Sequence, residues 1–427
     1  MKSKVIICTA IFLQCFVLGL AQAEEILSLD KALLTAYDNN PRMIEARKLI
    51  SAAKGDLITA RTLPNPEAEF EIGGLKKNAE GQRKEKLDNI GIRQDLGPPG
   101  SRLLQGKIAK NQVLSQEESL KAVWSNIYLE VRRIYAKIIL DKKELELTQE
   151  NLNILRNFFS RVQLRFQSGQ ALKNDVQRAK IELLKAERSY FLAEKELKVD
   201  KARLNLFLGR SFDVSFEVAE ELSRQSGIPP EAGKEENIKL SFQELREKAL
   251  SLRPDLKSEE LQLDSAGKNL VKERLNRLPS PFVGFQRTTE EYENDSAVVV
   301  GLSVPLWNLN QGEVKKAKAQ KEAQQVKVDA AKREVAFEVY EAYTEAELAE
   351  KQLSLSKKSL EEANELLRLA DLRYSEGEID FINYLDQIKA VTESRVGYYE
   401  SLFKLNDALS NMEKTIYASL RGEGYLK

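Results

Sequence analysis

Arg165-Phe166-Gln167-Ser168-Gly169, followed by Asp175-Val176, returns later in the chain as Arg373-Tyr374-Ser375-Glu376-Gly377, followed by Tyr384-Leu385-Asp386. The repetition extends outward from these two stretches and keeps its order. Leu27-Ser28-Leu29, Asn40-Pro41 and Leu63-Pro64-Asn65-Pro66 correspond to Leu240-Ser241-Phe242, Arg253-Pro254 and Leu278-Pro279-Ser280-Pro281. Gly91-Ile92-Arg93-Gln94-Asp95-Leu96 corresponds to Gly301-Leu302-Ser303-Val304-Pro305-Leu306. Self-similarity of this kind marks a duplicated structural unit, and missing it misassigns the whole fold.

Each glycine closes a long proline-free stretch, 101–166 in the first copy and 313–374 in the second. In the first, Leu120, Trp124, Ile127, Val131, Ile134, Ile138, Leu145, Leu152, Leu155, Phe159, Val162 and Phe166 alternate at three and four residues, interrupted by Asp141 and Thr148. In the second, Val335, Ala342, Ala349, Ser356, Ala363 and Ala370 run beside Val339, Ala346, Leu353, Leu360, Leu367 and Tyr374. Sustained three-four spacing predicts coiled-coil helices, and the small residues of the second seam predict close packing. At a rise of ~1.5 Å per residue each helix would be about 90–100 Å long, roughly three times the hydrocarbon thickness of a bilayer. Gly169 and Gly377 can end these helices through a left-handed backbone, and Asn174-Asp175 or Asp380 can cap the helices that follow. Each copy therefore predicts a long helical hairpin with a tight tip. Shorter helices are expected over about 29–60 and 241–277, with Ser28 and Ser241 as N-caps.

Ahead of each long helix lie two segments with strand character, 67–74 and 89–96 in the first copy, 282–289 and 296–304 in the second. Ala68, Phe70 and Ile72 alternate with Glu67, Glu69 and Glu71, which suits a sheet with one apolar face. The lengths approach the ~9–11 residues of a tilted membrane strand. The polar stretches 75–88 and 290–295 are expected as hairpin loops. Four strands cannot close a barrel, and an open edge cannot face lipid, so a membrane placement requires several protomers to share one barrel. A small soluble sheet packed on the helices is the other reading of the same pattern.

Residues 1–23 have the composition of a secretory signal: Lys2 and Lys4, an apolar run from Val5 to Leu20, and Ala21-Gln22-Ala23 as the cleavage site. Cleavage after Ala23 would remove Cys8 and Cys15, the only cysteines, so the mature chain could form no disulfide or thiolate site. Histidine is absent, and acidic and basic residues number 66 each. The commonest acid-base group and metal ligand is therefore missing, and the charge balance gives nucleic acid no basic surface. With no nucleotide-binding loop and no convergent nucleophile, the chain reads as a non-enzyme that needs no cofactor and carries no metal site. A polar linker, 211–239, containing Pro229-Pro230, joins the copies at 24–210 and 240–427.

A signal, then helix, strand pair, long helix, glycine tip and return helix, all stated twice, resembles the TolC family of bacterial outer-membrane channel proteins over essentially the whole mature chain. The two tip motifs carry the resemblance. It implies a mainly α fold with a small membrane β portion: a long α-helical coiled-coil barrel and a β-barrel, each completed by a homotrimer, with twelve strands in outer-membrane lipid and twelve helices in the periplasm of a diderm bacterium. Leu306-Trp307-Asn308-Leu309-Asn310-Gln311-Gly312 further resembles a turn of the CzcC-like heavy-metal efflux subgroup. The alternative for this turn is that its Asn and Gly serve only to lead a strand into a helix.

The function implied is a passive exit duct. Substrate, metal cations or small toxic compounds, would arrive from an inner-membrane pump of the resistance-nodulation-division (RND) class and a periplasmic adaptor, or membrane fusion, protein. The family's gate positions map onto Asp386 and Asn383, its tyrosine-to-aspartate lock between neighbouring hairpins onto Tyr374 and Asp175, and its arginine latch onto Ile379, which cannot donate a hydrogen bond. Phe166, Ser168, Gly169, Gln170, Glu376, Gly377 and Glu378 are the expected adaptor-contacting tips. Competing expectations are the outer-membrane component of type I protein secretion served by an ABC transporter, and a periplasmic coiled-coil adaptor or scaffold.

Overall fold

The structure, a computed structural model, describes residues 25–77, 83–219, 241–290, 293–376 and 378–418. The expected signal, most of the expected linker and Gly377 lie outside these residues. In chain order the elements are β1 (Glu25–Leu27), α1 (Leu29–Asn39), α2 (Pro41–Arg61), β2 (Glu67–Lys77), β3 (Arg83–Asp95), α3 (Ser101–Gln167), α4 (Lys173–Phe207), β4 (Phe216–Val218), α5 (Phe242–Leu252), α6 (Pro254–Leu275), β5 (Ser280–Glu290), β6 (Glu293–Ser303), α7 (Gln311–Ser375) and α8 (Phe381–Ile416).

The helices expected over 29–60 and 241–277 are each broken in two at a proline. A residue before proline is driven out of the helical region by the ring, and Asn40 (ψ 128°) and Arg253 (ψ 124°) show it. Pro41 and Pro254 then open new helices, where a missing N–H costs nothing. Ser28 and Ser241 act as the expected N-caps, Ser28 Oγ accepting from Lys31 N at 3.3 Å and Ser241 Oγ from Glu244 N at 3.4 Å. Glu244 returns a carboxylate oxygen to Ser241 N at 2.8 Å and completes a capping box.

Two compact units emerge, and each draws on both halves of the sequence: residues 41–126, 241–343 and 412–418 form one, residues 25–40, 127–219 and 344–411 the other. The first holds a four-stranded antiparallel sheet in the order β2-β3-β5-β6, so the hairpin of one copy lies beside the hairpin of the other. The strands are longer than the sequence predicts. Pairing continues through Leu75↔Lys86 and Lys77↔Arg83, and through Glu290↔Glu293, into stretches whose charge had marked them as loops.

The β3–β5 register, Ile92↔Phe285 and Gln94↔Val283, together with Ala68↔Ile92, Phe285↔Val298 and Val283↔Val300, gathers the apolar side chains on one face. Phe70, Ile90, Ile92, Phe285, Val298, Val300 and Leu302 are all exposed there. The opposite face carries Glu67, Glu69, Glu71, Arg93 and Asp95. On that face Arg93 stacks its guanidinium 3.8 Å from the centre of the Phe282 ring. The ring in turn lies over Gly301, where any Cβ would meet it at 2.3 Å.

The second unit contains β1 and β4, paired in parallel from Glu25↔Phe216 to Leu27↔Val218, together with the hairpin ends of the long helices. Strand β4 falls inside the expected linker; three residues are too few to show periodicity in a sequence. Tyr135 on α3 donates its hydroxyl to Leu27 O at 2.9 Å and fixes the small sheet to the hairpin. Gly209 ends α4 at φ +67°, and a Cβ there would stand 2.4 Å from Asn39 O, so both backbone shape and space require glycine. The seams read from the sequence are buried as expected: Ile127, Val131, Ile134, Ile138, Leu152, Leu155 and Val162 on α3, and Val335, Val339, Ala342, Ala346, Ala349, Leu353, Ala363 and Ala370 on α7. Among the described residues no helix is long and apolar enough to cross a membrane.

Candidate gate at the hairpin tips

The first tip is a complete helix stop. Gly169 adopts φ +76°, Gln170 N donates to Arg165 O at 2.8 Å and Gly169 N to Phe166 O at 3.0 Å, the paired bonds of a Schellman motif. Phe166, Ser168, Gly169 and Gln170 are all exposed. So are Leu164 and Leu172, which the sequence reading passed over. The second tip repeats the outer bond, Glu378 N donating to Arg373 O at 2.9 Å, and adds an ion pair between Arg373 Nε and Glu378 Oε2 at 3.3 Å. Glu376 and Glu378 are exposed and Ile379 is half-buried between them and α8.

The return helices are capped by different means. Leu172, which has no acceptor, stands at the N-cap of α4, and Asp175 compensates by taking Leu172 N onto its carboxylate at 3.0 Å. Asp380 caps α8 directly, accepting from Asn383 N at 2.9 Å. Asp175 therefore serves its own helix, and among the described residues no hydrogen bond joins it to Tyr374.

Tyr374 is engaged elsewhere. Its ring is stacked on Tyr384, with centroids 4.4 Å apart and planes within 9° of parallel. It also packs against the buried Phe158, Val162 and Ala179 of the first hairpin. Tyr384 donates its hydroxyl to Asp371 Oδ1 at 2.7 Å, tying α8 to α7 across the tip. Burial first, and then the bond to Asp371, push the Tyr384 phenol up to about 12, so it remains a donor throughout the biological range.

The next residue along α8, Leu385, enters a cluster with Leu152, Leu155 and Ala186 of the first hairpin. Lys389 Nζ then reaches Glu182 Oε2 at 2.9 Å, while Lys185 holds the other oxygen at 2.9 Å. Burial works against the Glu182 charge, yet the hydrogen bonds from Lys389 and Lys185 keep its carboxyl below the usual range. Arg395–Glu150 at 3.7 Å and Arg133–Asp407 at 3.2 Å extend the same helix-to-helix stitching.

Asp386 and Asn383 are exposed on the first turns of α8. Asp386 makes no ion pair among the described residues, because Lys389, one turn on, is committed to Glu182. The structure thus stacks Tyr374 on Tyr384, ties Tyr384 to Asp371, and leaves Asp386 open. Asp371, Glu182 and Lys389 were missed in the sequence; each lies among many similar charges, and only the register between helices singles it out. Among the described residues no group of three or more acidic side chains converges as a metal site would.

Comparison with known proteins agrees with this architecture. The family model described as outer membrane efflux protein matches residues 33–210 and 245–409. The cobalt-zinc-cadmium resistance protein CzcC of Cupriavidus metallidurans is 21% identical over 400 residues, covering 91% of this chain and 90% of its own. Among solved structures, the CmeC outer membrane channel of Campylobacter jejuni superimposes with a TM-score of 0.77 at 14% identity, covering 91% of this chain and 85% of that one. The open state of the Neisseria gonorrhoeae MtrE outer membrane channel gives 0.74 at 18%, covering 93% and 91%. A duplicated helical-hairpin fold with a one-faced sheet, matched along both copies by one family model, is therefore a member of the outer membrane efflux protein family.

Proposed function

We propose that three copies of this chain assemble into one passive duct through the outer membrane and periplasm, the exit of a tripartite system whose inner-membrane pump supplies the energy. The observation that carries this is the sheet: one face apolar and exposed, the other polar, with β2 and β6 each paired on one side only among the described residues. Such edges are not stable in lipid, whereas three sheets joined edge to edge close a twelve-strand barrel. The helical unit supports the same stoichiometry. Leu184 and Phe191 on α4, and Leu348, Leu355 and Leu369 on α7, are exposed at heptad spacing and call for neighbouring helices.

In this reading the tips around Phe166–Gln170 and Glu376–Glu378 meet the periplasmic adaptor, and the open Asp386 carboxylates, three around the axis, favour cations at the inner mouth. Divalent metal cations are the cargo suggested by the similarity to CzcC, with an RND-class pump behind them. The test is extraction from outer membranes followed by planar-bilayer recording. A heat-modifiable trimer that conducts, with Asp386→Asn reducing cation preference and block by multivalent cations, is the expected result. A soluble periplasmic monomer would overturn the duct. A conducting trimer indifferent to Asp386→Asn would overturn the gate assignment alone.

A further inference from the structure

The Leu306-Trp307-Asn308-Leu309-Asn310 turn leads from β6 into α7. Asn308 Oδ1 accepts from Asn310 N at 2.9 Å, and Asn310 sits in the left-handed region at φ 55°. Asn310 Nδ2 donates at 2.9 Å to both Glu273 O and Glu273 Oε2 at the end of α6. The asparagines thus account for the geometry of the turn but not for its three apolar residues, of which Leu309 is 53% exposed. Trp307 is 93% exposed and Leu306 72%, a large cost in water unless something covers them.

What covers them is indicated by what they continue. Val298, Val300 and Leu302 share the apolar face of β6, and the exposed Val304 and Leu306 follow directly on its last residue, so apolar surface continues in the chain where the strands give way to helices. The other three crossings at that end expose Leu63, Leu96 and Leu278. Immediately beyond, the helix ends present Arg61, Arg274, Arg277 and Lys315, all exposed and none with a carboxylate partner among the described residues. Nearby acids are occupied, Glu273 by Asn310 and Lys272, and Glu313 by Lys316. An apolar belt topped by an amphipathic indole and followed by unpaired cations matches the order of acyl chain, boundary and anionic headgroup.

Building on the channel reading, we propose that Leu306 and Trp307 seat in the headgroup–acyl boundary of the periplasm-facing leaflet, and that Arg61, Arg274, Arg277 and Lys315 gather anionic phospholipid around them. The indole fixes the depth of the barrel, because moving it toward water or toward the acyl core loses either apolar burial or its N–H partner. Each basic side chain near a charged surface adds a several-fold preference for anionic lipid, which salt screens.

The chain has two tryptophans and Trp124 is buried, so Trp124→Phe isolates the Trp307 signal. If that variant does not assemble, the difference between wild type and Trp307→Phe serves instead. The trimer is placed in vesicles of phosphatidylcholine and phosphatidylglycerol, with either lipid brominated high or low on the acyl chain. The expected result is a loss of Trp307 emission that is larger with shallow than with deep bromines. The loss should also be larger with brominated phosphatidylglycerol than with phosphatidylcholine at equal mole fraction, and high salt should remove that second difference. Blue-shifted emission that no lipid quenches would mean a neighbouring copy covers Trp307, and iodide-quenched emission would mean water does; either overturns the proposal. Equal quenching by the two headgroups would overturn the basic collar. Val298→Trp in a tryptophan-free chain separates this from the channel reading. Deep bromines must quench it if the sheet lies in lipid, and its failure would bring down the barrel itself.

Discussion

Removing the Tyr384 hydroxyl should loosen the α7–α8 tip more than removing that of Tyr374. Tyr384→Phe keeps the ring and its stack on Tyr374, and deletes only the donor to Asp371 Oδ1 at 2.7 Å. A hydrogen bond to a charged acceptor is worth a net ~1.5–3 kcal/mol, and the low end applies because Asp371 is exposed and water will rehydrate it. A loss of about 1–1.5 kcal/mol per protomer shifts the balance between tied and untied α7–α8 tips roughly five- to ten-fold. Open probability of the trimer in planar bilayers reads this directly. Asp371→Asn should produce a similar shift, and the double variant should add little to either, since both changes remove one bond. Tyr374→Phe should change opening less, because its hydroxyl makes no hydrogen bond among the described residues. If Tyr384→Phe opens no more often than wild type while Tyr374→Phe does, the tip is held through Tyr374 and Asp175 of a neighbouring hairpin and not through the Tyr384–Asp371 bond.

Two further perturbations test the framework behind the tip. Asp141 is 1% exposed, and burial, with Asp200 (4% exposed) as a second carboxylate, raises its carboxyl from 3.8 to about 6 against the pull of Lys137, whose Nζ is 2.6 Å away. The folded chain therefore holds a proton that the unfolded chain releases, so this contribution to stability is full below pH 3.8 and is lost as pH rises through about 6. Thermal melts of the helical signal should fall across that window in wild type and run flatter in Asp141→Asn; parallel curves would show that Asp141 is ionised throughout. Gly209→Ala should cost about 1–3 kcal/mol from the left-handed backbone alone, more from the clash with Asn39 O, and Gly169→Ala less, since no atom lies within 4 Å of its added Cβ. Chemical denaturation of the two variants gives the order, and an equal loss would mean that the α1–α4 contact yields.

The sequence made the helices legible because a seam repeated every seven residues over some forty residues leaves few alternatives, and the buried Val335, Val339, Ala342 and Ala346 fall where that repeat put them. The breaks at Asn40-Pro41 and Arg253-Pro254 were written just as plainly, yet they were read as marks of duplication when their stronger meaning is mechanical: each proline ends one helix and starts another. Strand extent was misjudged for the opposite reason. Lys77 and Arg83 have little propensity for a sheet, but pairing of β2 with β3 supplies partners that propensity does not anticipate. At the tips, residue type named the candidates and register decided the partners each finds among the described residues. Tyr374 and Asp175 are both present, but the backbone of α4 begins at a leucine that cannot cap, so Asp175 is drawn to Leu172 N, and the tyrosine that finds a carboxylate is Tyr384. Asp141 is the most instructive position. It stood out only as a gap in an apolar seam, and a gap in a seam that the fold nevertheless buries is where a charge has been retained at a cost, so that position, more than any of the abundant exposed carboxylates, is where protonation and stability are linked.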